Sequence, residues 1–438
     1  MSSAKISASS VIDYRGISIW KVFIIGLGFG TTALVWTLFN IAIPVFLKDN
    51  FNVREGLIGF VMTLDNIIAF FLQPYIGTRS DKTRTRIGRR FPYIITGTLL
   101  GALFFSLVPI AASMGSLALF LVVIILLNLS MAIYRSPVVS LMPDLVPSER
   151  RSLANGIINF MGGFSAALSL FISATFFQRG KVFEAFWVSS GVMIVMLILL
   201  LISIREPPLP ENSVVLSDET TFKQLTSELS RSIKGTDKSL IFMLLAIGSW
   251  FIAWNAIEAF FSLYVRYVIL PDASANEAVA TASRSLFFFP IVFVFFTLIG
   301  GYLGTQLGRL LTMRIGLVIF TLSLLGISLT RSIVVITLLL MSAAVGWGLI
   351  NVNSIVVVWE HATDNGLGTG LYYAFASIAA ITGPTVSGIF IDFTGYKSLF
   401  PFSVSFCLLA FFFLLKVRSG EAGDKASGVL ATSVDYDL

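Results

Sequence analysis

Residues 76–92 read IGTRSDKTRTRIGRRFP. Six cationic side chains (Arg79, Lys82, Arg84, Arg86, Arg89 and Arg90) stand there beside one acid, Asp81. The rest of the chain has the opposite character. Of its 438 residues 56% are hydrophobic, 12% are charged and 40 are Phe. Its mean hydropathy is +0.89. A soluble chain of this length needs far more charge to keep its surface wet. Apolar stretches of about 20 residues, long enough to cross a bilayer core, recur on both sides of the basic block. They predict spans at 18–47, 56–77, 91–112, 116–141, 152–176, 183–204, 239–267, 278–305, 310–330, 333–358, 366–391 and 396–417. The fold class is therefore an all-α polytopic membrane protein with twelve transmembrane helices. A β-barrel would instead show alternating segments of about ten residues, and none occur.

The polar segment 205–238 is the one long interruption. It opens REPPLPENS, where Pro207, Pro208 and Pro210 end the sixth span. It then carries a candidate amphipathic helix at 219–234. The chain thus divides into an N-terminal six-helix half (1–204), a cytoplasmic linker (205–238) and a C-terminal six-helix half with a short cytoplasmic tail (239–438). With twelve spans both termini share a side, and 21 of the 30 Lys/Arg fall there, against 7 opposite. The positive-inside rule makes that side cytoplasmic and puts both termini in the cytoplasm. The expected location is the cell membrane, multi-pass. The first apolar run is too long for a signal-peptide core and is expected to stay as a helix. At the cytoplasmic face the basic block fixes topology and can meet anionic lipid. It is short and lacks interleaved aromatics, so nucleic acid is not an expected partner. The single histidine, His361, and the single cysteine, Cys407, exclude an intrachain disulfide, a cysteine metal cluster and His-pair chemistry. No cofactor and no metal is expected.

Charge inside a span costs about 3 kcal/mol or more, so each instance is a candidate site. Asp65 lies in span 2, beside the stripe made by Asn66 and Gln73. Arg135 lies in span 4, with Asn128 on its face one heptad earlier. Glu258 lies in span 7 within WFIAWNAIEAFFSLY, and Arg284 stands near the outer end of span 8, where it can snorkel to water. A carboxylate away from water favours its neutral form, and a nearby arginine favours its charged form. A conformational change that alters either influence makes the group take up or release a cation. Asp65 and Glu258 are the cation-coupling candidates, with Arg135 the expected partner of Asp65. A static ion pair is the competing reading. The candidate substrate-binding set is Asn40, Asn66, Gln73, Asn128, Tyr134, Arg135, Asn159, Trp254, Asn255, Asn351, Tyr372 and Tyr373. Trp36, Thr37, Asn155, Trp347 and Asn353 add to the same polar and aromatic character. Amides and rings together suit a sugar, whose hydroxyls want hydrogen bonds and whose C–H faces stack. The same residue types also join helices and mark membrane interfaces.

Two internal echoes pair a span with the one six places later. GTRSDKTRTRIGRR after span 2 is echoed by GYLGTQLGR at 301–309, and ANGIINFMGGFSAA at 154–167 by GTGLYYAFASIAAI at 368–381. Parallel repeats of this kind place substrate between two halves. The basic block and its echo resemble the loop signature of the major facilitator superfamily. More narrowly, LDNIIAFFLQPYIGTRSDKTRTRIGRRFPYI resembles the glycoside–cation symporters, closest to their sucrose-transporter branch. The likeness continues in YRSPVVSLMPDLVPSERRSLANGIINFMGG, in WNAIEAFFSLY and in TGLYYAFASIAAITGP. It implies two six-helix bundles working by alternating access, the major facilitator fold, around a central sugar site. It also implies a cytoplasmic gate. Asp81 helps latch the halves, Gly77 and Gly88 let the loop turn, Arg89 and Arg90 join ion pairs, and the echo supplies Gly301 and Arg309 without the acid. One departure matters. Melibiose-type members carry coupling carboxylates on spans 2 and 4, where this chain has Gln73 and Arg135. Protons are therefore favoured over Na⁺ as the coupling ion.

The expected function is secondary active symport of a sugar, a disaccharide or other glycoside, by a monomer in the lipid bilayer. The alternatives are efflux of an amphipathic compound and a non-transporting sensor. A membrane-embedded enzyme is disfavoured, because no His pair, metal cluster or phosphate-gripping Gly-Lys loop is present.

Overall fold

The computed structural model describes residues 18–146, 151–206, 218–234 and 237–418. The tails, residues 147–150, which include Arg150, and the linker residues 207–217 and 235–236 lie outside them. Among the described residues twelve helices are long and apolar enough to cross a membrane. Spans 1 to 6 are Ile19–Asn50, Glu55–Lys82, Phe91–Ser113, Leu117–Leu145, Leu153–Gln178 and Val182–Ser203. Spans 7 to 12 are Ser239–Ile269, Ala275–Gln306, Arg309–Leu329, Ile333–His361, Asn365–Thr394 and Tyr396–Leu415. Polar side chains set several starts. Ser116 accepts from Leu119 N, and Asp364 accepts from Gly366 N and Leu367 N, which satisfies amides that no earlier turn can reach.

The packing repeats with the offset seen in the sequence echoes. Span 1 packs on 5, 3 on 4, 2 on 4 and 3 on 6, while span 7 packs on 11, 9 on 10, 8 on 10 and 9 on 12. Helix irregularities repeat as well. Spans 1 and 7 both end in a π-helical turn, Phe46–Asn50 and Val265–Ile269. Spans 2 and 8 are both broken, at Met62–Thr63 and at Phe287. Interrupted helices free backbone groups at mid-membrane, where transporters place their sites. The helix Asp218–Lys234 in the linker belongs with the C-terminal half: Glu228 accepts from Thr363 N at 3.0 Å and from Thr363 Oγ1 at 2.7 Å.

Span 2 continues to Lys82, beyond the expected end at 77. Gly77 is therefore inside a helix and turns nothing. It lets span 4 come close, since a Cβ there would meet Ser136 Oγ. The turn falls to Gly88, whose φ of +111° suits glycine.

We call the end that carries residues 83–90 the basic end. The halves meet tightly at the opposite, far end. There Gly59 of span 2 abuts Pro384 O of span 11, and Gly388 abuts Glu55 O. Toward the basic end the same two spans face each other across a cavity of about 1000 Å³, with Gln73 and Gly77 on one wall and Tyr373 and Ser377 on the other.

Candidate substrate site

The break in span 2 places Asp65 in the first turn of the helix that follows it. Asn66 donates to Asp65 Oδ1 at 2.8 Å. Both line a chamber of about 180 Å³ together with Arg135 of span 4, Asn40 of span 1, and Asn255 and Glu258 of span 7. The chamber thus draws a carboxylate from each half and one guanidinium. Asn66 and Arg135 also line the 1000 Å³ vestibule, so the chamber stands at its inner end. Asp65 and Arg135 share these walls, yet no ion pair within 4.0 Å joins them among the described residues. The competing reading, a static ion pair, is not seen among the described residues in this state. Arg135, the expected partner of Asp65, is exposed and lines the cavity.

Asn40 donates to Glu258 Oε1 at 2.9 Å, a bond between the two halves. Beyond it lies a second chamber of about 270 Å³, which shares Asn40 and Glu258 and is otherwise walled mainly by rings and aliphatic side chains. Trp254 stands there between Phe289, at 4.6 Å between ring centroids, and Trp347, at 5.1 Å.

The expected substrate residues divide by position. Asn40, Asn66, Gln73, Arg135, Trp254, Asn255 and Tyr373 line one of the three cavities. Asn255 spends its amide on Phe251 O at 2.7 Å. Asn128 is buried and lines none of them. Tyr134 is buried and donates to Gly28 O, so it ties span 4 to span 1. Tyr372 is buried with its ring edge on Phe251. Asn351 donates to Trp347 O in its own helix at 3.0 Å. Asn159 is exposed and outside the three cavities. These five act, in this state, as packing or surface residues.

The expected gate residues also separate. Asp81 pairs with Arg90 at 2.6 Å and with Arg89 at 3.3 Å. Asp144 holds Arg89 at 2.8 Å and Arg90 at 3.1 Å, and Glu206 takes Arg89 Nε at 3.2 Å and Arg90 N at 2.8 Å. Every member belongs to the N-terminal half except Glu206, the second residue of the linker, and none comes from the C-terminal half. Arg309 pairs with Glu360 at 3.2 Å, inside the other half. Sequence reading missed Asp144 and Glu206, though each is an acid at a span end on the basic side.

It also missed the far-end closure. Asp392 of span 11 accepts from Glu55 N and Gly56 N at 2.9 Å each. Tyr396 donates to Glu55 Oε1 at 2.7 Å, which also takes Lys48 at 2.6 Å. Arg266 and Tyr267 bond Asp49 at 3.1 and 2.7 Å. The molecule is thus open at the basic end and bolted across its halves at the far end.

This geometry agrees with relatedness. Residues 25–283 and 269–433 match the Major Facilitator Superfamily. The chain belongs to that superfamily. Its members are membrane transporters, so this major facilitator protein is a transporter of small molecules and not an enzyme. It is 28% identical over 169 residues to the multidrug resistance protein Stp of Mycobacterium tuberculosis, covering 36% of this chain and 30% of that one. It is 30% identical over 139 residues to an uncharacterized symporter of Synechocystis sp., covering 29% and 26%. It is 27% identical over 153 residues to the putative glycoside/cation symporter YagG of Escherichia coli, covering 33% of each. The matched stretches span about a third or less of those relatives. Among solved structures, the nucleoside transporter NupG superposes with a TM-score of 0.71 over 91% of this chain and 100% of that one, at 13% identity. A bacterial homolog of the human lysosomal transporter Spinster, inward-facing and occupied, gives 0.69 over 91% and 96%, also at 13%. Identities this low speak for the fold.

Proposed function

We propose that this transporter imports a sugar, a disaccharide or other glycoside, together with protons, across the cell membrane as a monomer with both termini in the cytoplasm. The observation that carries the reading is the inner chamber, where Asp65 and Glu258 from opposite halves face Arg135 and a set of amides. Amides and a guanidinium donate to hydroxyls. A carboxylate in each half gives a bound proton something to change when the halves move. The name of the Escherichia coli relative, a putative glycoside/cation symporter, points the same way. The positive-inside bias makes the basic end cytoplasmic, so the open vestibule faces inward in this state.

The deciding test is uptake of labelled sucrose, maltose and related glycosides into proteoliposomes, under an inward proton gradient and under a sodium gradient. Accumulation driven by protons supports the proposal. Accumulation driven by sodium alone overturns the coupling ion, and no movement under either gradient overturns the sugar. Asp65→Asn is expected to abolish accumulation and to leave sugar exchange across the membrane. Undiminished accumulation in that variant removes Asp65 from coupling.

The apolar second chamber and the likeness to a multidrug resistance protein favour one other reading, export of an amphipathic compound. Proton-driven extrusion of such a compound, with no glycoside uptake, would establish it.

A further inference from the structure

Arg284 is a charged side chain inside span 8 that the transport reading leaves unused. It is exposed, lines none of the three cavities, and has no side-chain hydrogen bond or ion pair among the described residues. It heads a stripe. Phe288, Ile291, Phe295 and Leu298 follow it at steps of four, three, four and three, which puts all five on one face of the helix. The four apolar members are 44% to 70% exposed. Phe289, Pro290 and Phe293, which line the 270 Å³ chamber, lie on the other face. The stripe is therefore the lipid face of span 8. Its depth follows from the chain. From Leu286 to Gly304 span 8 carries no charged residue. That stretch rises about 28 Å, close to the ~30 Å hydrocarbon core of a bilayer. Arg284 stands just past the far edge of this core, at the level of the far leaflet's headgroups. Glu277, on the same face, lies two turns further out, about 10 Å along the axis, and does not pair with it. Phe171 of span 5 is exposed and meets Phe287 at 6.5 Å between ring centroids, and Ser173 bonds Ser283 at 2.8 Å. The patch thus lies on the seam between the two halves.

We infer that this corner is a binding site for an anionic phospholipid of the far leaflet, with the lipid phosphate on Arg284 and one acyl chain along Phe288, Ile291 and Phe295. A guanidinium offers a phosphate two parallel hydrogen bonds. No acid neutralises Arg284, so its charge favours a lipid of net negative charge over a zwitterionic one. A lone cation at this depth gains by reaching a phosphate, since charge left in the hydrocarbon is costly. The rise from Arg284 to Phe295 is about 16 Å, the depth of one leaflet of the hydrocarbon core. Phe171 adds a ring from the other half, so the lipid lies against both halves. The site is distinct from the basic block, which meets the opposite leaflet.

The test puts a bimane on Ile291→Cys, about 10 Å along the same face from Arg284, in the full chain reconstituted into vesicles of phosphatidylcholine with a minor share of phosphatidylglycerol. The native Cys407 is buried and takes little label. Brominated acyl chains quench the dye on contact. They are carried by phosphatidylglycerol alone in one sample and by phosphatidylcholine alone in the other, so the ratio of quenching gives the local lipid composition. A second label at Leu408→Cys, exposed on span 12, gives the composition elsewhere on the lipid face. Phosphatidylglycerol is expected to be enriched beside residue 291 at least about threefold over its level beside residue 408. Arg284→Gln is expected to remove that enrichment and to leave the reading at residue 408 unchanged. Equal compositions at the two labels overturn the site. Enrichment that survives in Arg284→Gln overturns it too, because another group then holds the lipid. Quenching by neither lipid at residue 291 shows the face covered by protein, such as a second copy of this chain, and likewise overturns it. The comparison of the two labels keeps Arg284, so a poorly folding Arg284→Gln does not protect the inference.

Discussion

The two ends of this transporter are held by the same kinds of groups, arranged to opposite effect. At the basic end Asp81 and Asp144 of the N-terminal half, with Glu206 at the start of the linker that follows it, gather Arg89 and Arg90, and Arg309 pairs with Glu360 within the other half. At the far end the bonds cross between halves, from Asp49 to Arg266 and Tyr267, from Glu55 to Tyr396, and from Asp392 to two amides of span 2. Bonds within a half stiffen it and say nothing about which way the molecule opens. Bonds across halves exist in one state and break in the other, so they set the balance between states. The far end is where this state is stabilised, and the basic cluster is a rigid part carried along with its half.

The largest break should come from the glycine contact. Gly59→Leu drives a side chain into Pro384 O, which the backbone of span 11 cannot yield without moving away. The far end should no longer close. A cysteine placed at Ser377, on the wall of the vestibule, reports the change, because the native Cys407 is buried and gives little background. Labelling of Ser377→Cys by a polar maleimide should fall at least about tenfold when Gly59→Leu is added, and transport should be lost. Unchanged labelling would mean that the contact does not govern closure.

Asp392→Ala comes next. It leaves the Glu55 and Gly56 amides without their acceptor and should cost the closed far end about 1–3 kcal/mol. Vestibule labelling should drop severalfold, and labelling at the far end should rise. Asp49→Asn should cost about 1 kcal/mol or less, since the pair with Arg266 is partly solvated and Tyr267 can still donate to the amide oxygen. Equal effects of the two changes would show that the amides of span 2 need no cap.

The twelve spans were legible because a bilayer demands about 20 apolar residues in a row, a signal that survives without any tertiary information. The end of span 2 was less so. Its last turn is rich in charge and reads as a loop, but Arg and Lys are good helix formers and the helix runs on past the apolar stretch to Lys82. The break at Met62–Thr63 carries no glycine or proline at the site, so nothing local announces it. The break at Phe287, by contrast, is announced by Pro290, which has no N–H for the Leu286 carbonyl and whose ring crowds it. Which amides face the cavity was legible only in part. Asn40 and Asn128 look alike in sequence, yet one bonds Glu258 across the halves and the other is packed inside its own. The far-end bolt joins residues 337 positions apart, and only the folded chain brings Glu55 to Asp392.

The smallest expected effect is the most pointed. Asp81 is the acid that the family resemblance makes a latch between halves, but here both of its partners sit in its own half, where Asp144 and Glu206 hold them too. Its side chain is 26% exposed, so its pairs are partly screened by water. Asp81→Asn should therefore change the labelling of Ser377→Cys by less than about twofold, while Glu206→Gln, at 2% side-chain exposure, should loosen the loop at Gly88 more. A shift as large as that from Asp392→Ala would mean that Asp81 reaches across the halves in a state of substantial population. The basic end would then weigh in the same balance as the far end, and the contrast between a rigid cluster and a working closure would fail.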